Sequence, residues 1–88
     1  MKTQAILFDQ PRQVRVGELE LPDLALGQVE VDIEYSGIST GTERLLWDGT
    51  MPSFPGMGYP LVPGYEAVGR VVRVADDVDM ALGQRVFV

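Results

Sequence analysis

The chain has 88 residues, enough for one small domain and marginal for an independent core. Its hydrophobic share of 45% and charged share of 23% are those of a folded globular protein, which argues against disorder throughout. The net charge of −6 comes from 13 acids and 7 bases without a Lys/Arg cluster, so nucleic acid is excluded as an expected partner; the lack of cysteine and histidine excludes disulfides, thiol chemistry and an ordinary zinc or iron site in this segment.

No apolar run reaches the length of a membrane span, and the apolar part of the Met1–Asp9 start is too short for a signal peptide. The expectation is a cytoplasmic protein without an integral membrane segment, with peripheral membrane contact left open. Ala5–Phe8 is a short apolar strand, and Asp9–Arg12 is a turn bent by Pro11. Val14, Val16, Leu19 and Leu21 predict a second strand, with a bulge or bend where Gly17 upsets the alternation. Pro22-Asp23 breaks it. Val29, Val31, Ile33 and Tyr35 then alternate with Glu30, Asp32, Glu34 and Ser36, predicting a strand with one buried face and one acidic, solvated face.

After Gly37 the pattern turns helical for a single short stretch. Thr42 is the expected cap, Leu45, Leu46 and Trp47 the core-facing residues, and Gly49 the stop. From Thr50 to Gly64, four prolines and three glycines make a long, stiff loop carrying Met51, Phe54, Met57 and Tyr59. The Pro60–Gly64 segment sets the backbone by fixed proline angles and a glycine free to take a positive φ, and it delivers Tyr65 and Glu66 into a strand running from Ala67 to Ala75. Gly69 allows that strand a close neighbour. Asp76-Asp77 is a turn, and Arg85–Val88 a final strand in mid-course, so a longer parent chain is expected. Gly56-Met57-Gly58 lacks a third glycine and a following helix, and is no dinucleotide fingerprint.

Two polar turns carry the chemistry: Gly37-Ile-Ser-Thr-Gly-Thr-Glu43 and Pro63-Gly-Tyr-Glu66. Together they resemble the medium-chain dehydrogenase/reductase family, whose catalytic domain has a GroES-like β fold. In that family the first turn supplies a zinc-binding cysteine and the second a histidine. Here Ser39 and Tyr65 stand in those places and Thr40 adds a residue, so the frame is kept without its metal ligands. The resemblance covers nearly the whole chain. It implies a mainly β fold, a GroES-like partly open β-barrel, truncated, with one short helical turn. Residues 1–88 would be the N-terminal part of the catalytic domain, and a Rossmann domain outside the chain would hold NAD or NADP. The run Gly37–Gly69 is similar to the bacteriochlorophyll-pathway branch of the family. That implies a full-length enzyme oxidising the hydroxyethyl group of a chlorin-type substrate to acetyl, compatible with a homo-oligomer, and a segment that alone is inactive.

Oxidising a secondary alcohol needs a hydride acceptor, a route for the hydroxyl proton and stabilisation of the developing alkoxide. Ser39, Thr40 and Tyr65 suit hydrogen bonds at the reacting hydroxyl or the nicotinamide; equally, their hydroxyls can satisfy backbone groups in two tight turns. Glu66 suits a proton relay, or pairing with an arginine or a backbone amide. Phe54, Met57 and Tyr59 suit a wall for a flat ring, with Trp47 beside them, or packing beneath the barrel. Arg44 suits a substrate propionate or a solvated helix face. A zinc-free quinone or enone reductase of the same family and a non-catalytic β-barrel binding module are the alternatives.

Overall fold

The computed structural model describes all 88 residues, Met1–Val88. The fold is mainly β with one helix, in two sheets, neither closed on itself. The chain divides into two compact units, Met1–Leu21 with Ile38–Gly64, and Pro22–Gly37 with Tyr65–Val88.

In the first unit, β1 (Lys2–Leu7) pairs antiparallel with β2 (Arg15–Glu20) in continuous register from Lys2↔Glu20 to Leu7↔Arg15. The predicted bulge at Gly17 is therefore absent. Gly17 sits regularly opposite Ala5, and what its missing side chain supplies is room: a Cβ there would stand 2.5 Å from Leu7 Cδ1. Beyond β1, Phe8 exchanges two backbone hydrogen bonds of 2.9 Å with Leu61, which ties the proline-rich loop to the end of the strand. The expected turn at Asp9–Arg12 is present. Arg12 takes a positive φ of 64° and donates its N–H to the Trp47 carbonyl at 2.7 Å.

Helix α1 (Thr42–Asp48) is the single helix of the chain. Its stop is the predicted one, with Gly49 at φ 76° donating its N–H to the Leu45 carbonyl. Its start differs from expectation. Gly41, not Thr42, is the N-cap, and Thr42 is already helical, because the residue that reaches back to the helix amides is Ser39. Leu45 faces outward, while Leu46 and Trp47 are half-buried. Trp47 meets Phe8 edge to face with centroids 5.6 Å apart, and this pair joins α1 to the end of β1.

In the second unit, β3 (Val29–Ser36), β4 (Ala67–Val74) and β5 (Arg85–Phe87) form an antiparallel sheet in that order. Val71 is completely buried at its centre. Gly69 brings β3 and β4 together as expected: a Cβ there would collide with the Asp32 backbone and lie 2.8 Å from Val31 Cγ1. The burial of β3 departs from the alternation. Ile33 is 50% and Tyr35 74% exposed, and register shifts between Glu30 and Val31 and between Ile33 and Tyr35 interrupt the one-face pattern. The acidic residues are not simply solvated either. Glu30 pairs with Arg73 at 3.2 Å, and Glu34 with Arg85 at 3.3 Å and Arg70 at 3.7 Å, so carboxylates and guanidiniums cross the sheet together. Asp77 Oδ1 accepts the Gly27 N–H at 2.8 Å, closing the turn before β3 onto the turn after β4.

Candidate functional site

The first unit contains a cavity of about 480 Å³. Phe8, Ile38 and Trp47 form its apolar wall, and Ser39, Thr40, Glu43 and Arg44 supply its polar groups. Six of the seven lie on α1 and the turn before it, so one short segment furnishes nearly the whole lining.

Three hydrogen bonds hold that segment. Thr42 donates its N–H to Ser39 Oγ at 3.3 Å, Glu43 donates its N–H to the Ser39 carbonyl at 3.0 Å, and Ser39 donates its own N–H to Glu43 Oε2. Ser39 and Glu43 thus brace one another at the start of the helix: the hydroxyl and carbonyl oxygens of Ser39 take the Thr42 and Glu43 amides, and the Glu43 carboxylate takes the Ser39 amide. Arg44 reaches into solvent, its side chain 79% exposed. Asp48 faces it at 3.7 Å, and the same carboxylate meets Arg12 at 3.3 Å. Asp48 is thus shared between Arg12 and Arg44.

The sequence-derived residues are distributed as follows. Ser39, Thr40, Arg44 and Trp47 line this cavity. Phe54, Met57 and Tyr59 belong to the same unit but do not line it; Phe54 is half exposed, and Tyr59 donates its hydroxyl to the Leu46 carbonyl. Tyr65 and Glu66 belong to the second unit. There Glu66 lines a cavity of about 280 Å³ with Tyr35, Gly37 and Phe87 among others, and its carbonyl accepts the Gly37 N–H at 2.9 Å. Its carboxylate makes no ion pair and accepts no amide, so the expected pairing does not occur. Gly64, just before Tyr65, has the anticipated positive φ, at 102°. Tyr65 is 56% exposed.

Sequence reasoning missed Glu43, which is only 8% exposed, and Phe8. Glu43 had a local signal, a glutamate one turn beyond a serine at the start of an apolar run. Phe8 had none, because it reaches the cavity from a strand far away in the chain. No group of three or more acidic, cysteine or histidine side chains gathers in a way that would hold a metal ion. The residues present do not fit the pyrophosphate of a dinucleotide: α1 has only seven residues, and the Gly37–Gly41 turn that leads to it from β3 lacks the three-glycine fingerprint.

Over all 88 residues, the chain is 53% identical to the 2-desacetyl-2-hydroxyethyl bacteriochlorophyllide A dehydrogenase of Rhodobacter capsulatus and 52% identical to that of Cereibacter sphaeroides; it spans 28% of the length of each. It is also 36% identical over 83 residues, 93% of its length, to an alcohol dehydrogenase of Geobacillus stearothermophilus, of which that match covers 24%. No solved structure matches it significantly. Residues 25–88 match the alcohol dehydrogenase GroES-like domain, and the chain belongs to that family.

Proposed function

We propose that the whole protein oxidises the hydroxyethyl side chain of a bacteriochlorophyllide to an acetyl group, and that the cavity beside α1 receives the reacting edge of the ring system. The observation that carries this is the similarity over all 88 residues to two dehydrogenases of that substrate. The cavity's chemistry supports it. Phe8, Ile38 and Trp47 offer an apolar wall to a flat ring, while Ser39 and Thr40 offer hydroxyls to the oxygen that changes from alcohol to carbonyl. Arg44, its side chain 79% exposed, suits the propionate carboxylate.

Oxidation removes a hydride from carbon and a proton from oxygen; the hydride acceptor is a nicotinamide cofactor, NAD or NADP, held by residues outside this chain. Tyr65 and Glu66, both exposed and the latter an unpaired carboxylate, are assigned to the route of the proton. The full-length protein, given the hydroxyethyl pigment with NAD or NADP, should form the acetyl pigment, followed by its absorption shift. Reduction of quinones or enones without any alcohol oxidation would replace this reading by the reductase alternative.

A further inference from the structure

Glu43 is the single buried charged residue of the chain, and none of the roles assigned above uses it. Burying a carboxylate is unfavourable unless it accepts hydrogen bonds, so its position calls for a reason. Oε2 takes the Ser39 N–H, while Oε1 faces Gly64, where a Cβ would stand 3.5 Å away. The Glu43 N–H meanwhile holds the Ser39 carbonyl at 3.0 Å, and the Thr42 N–H holds Ser39 Oγ at 3.3 Å. Both backbone polar groups of Ser39 are therefore engaged, along with one lone pair of its hydroxyl. The hydroxyl proton has no acceptor within this chain. A serine on a cavity wall, engaged in this way, is a fixed donor.

We propose that Glu43 is a positioning residue: by clamping the Ser39 turn it aims the Ser39 hydroxyl as a hydrogen-bond donor at the substrate oxygen. The inference rests on the assignment of this cavity to the reacting side chain. Neither residue makes or breaks a covalent bond. A carbonyl oxygen can only accept, so the Ser39 donor matches the acetyl product without competition from a substrate proton, and product binding reads the contact directly.

The test uses the full-length protein, with the dissociation constant of the acetyl pigment measured by absorbance in the absence of nicotinamide. Ser39→Ala and Glu43→Ala should each weaken binding about tenfold, the loss expected for one hydrogen bond. The double variant should be no weaker than either single one, since both remove the same contact. Glu43→Gln keeps an oxygen for the Ser39 N–H and should bind within about twofold of the parent. Weakening in Ser39→Ala but not in Glu43→Ala overturns the positioning role and leaves the cavity assignment standing. Unchanged binding in Ser39→Ala overturns both. If Glu43→Ala fails to fold, as judged by near-ultraviolet circular dichroism, Glu43→Gln decides: a loss as large as that of Ser39→Ala overturns the proposal.

Discussion

Gly69 and Asp9 show how single positions set local energetics. At Gly69 the obstacle to a side chain is the Asp32 backbone, with its carbonyl carbon 2.9 Å from the Cβ position, so β3 itself would have to move. Gly69→Ala should lower stability by about 1–3 kcal/mol, the usual cost of overpacking, measured by urea denaturation. Equal stability would mean that the two strands separate freely there. Asp9 accepts hydrogen bonds from Arg15 Nε at 2.5 Å and Nη2 at 3.1 Å, and this guanidinium holds its carboxyl below the ordinary value of 3.8. A depressed pKa favours the folded state above the ordinary carboxylate value, and that contribution is lost as pH falls through the lowered folded value. Asp9→Asn should therefore melt below the parent at neutral pH, with the two melting temperatures converging on acidification. A gap that persists in acid would assign the effect to something other than the carboxylate charge.

At the scale of elements, α1 owes its place to contacts beyond its own seven residues. Isolated helices of this length do not persist in water. The Ser39–Glu43 clamp, the Gly49 stop, the Tyr59 hydroxyl on the Leu46 carbonyl and the Phe8–Trp47 contact hold it together. Phe8 is 8% exposed, so Phe8→Ala should cost about 3–5 kcal/mol, the range for large-to-small changes in a packed interior. The proline-rich loop behaves differently. Phe54 is half exposed, so Phe54→Ala should change stability by less than about 1 kcal/mol. Melting temperatures of the two variants check both expectations, and a large loss at Phe54 would place it in the core after all.

At the scale of the whole chain, the proposed substrate cavity is not accompanied by a dinucleotide-binding motif. The 88 residues hold an apolar cavity with hydroxyls and a guanidinium, but no strand, glycine turn and long helix in succession. Calorimetry of this chain alone with NAD or NADP should give no micromolar isotherm, because the backbone amides that receive a pyrophosphate are missing. A clear isotherm would require a phosphate site in a loop. No helix is long and apolar enough to cross a membrane.

The sequence by itself determined the order of the elements, the glycine stop at Gly49, the positive φ at Gly64, the close approach at Gly69 and, through the turns around Ser39 and Tyr65, the family. These are legible because each depends on backbone freedom, proline geometry or residues adjacent in the chain. Tertiary structure decided the rest. The register shifts that leave Ile33 and Tyr35 exposed arise from how β3 meets β4, and the arginines that pair with the acidic residues of β3 arrive from β4 and β5, far along the chain. Gly17 looked like a bulge because glycine permits one, whereas the continuous pairing with β1 uses the same missing Cβ to make room for Leu7. Glu43 is a carboxylate, a side chain that is rarely buried without partners. Its burial follows from a hydrogen bond to the Ser39 amide, a partner that only the folded turn brings within reach.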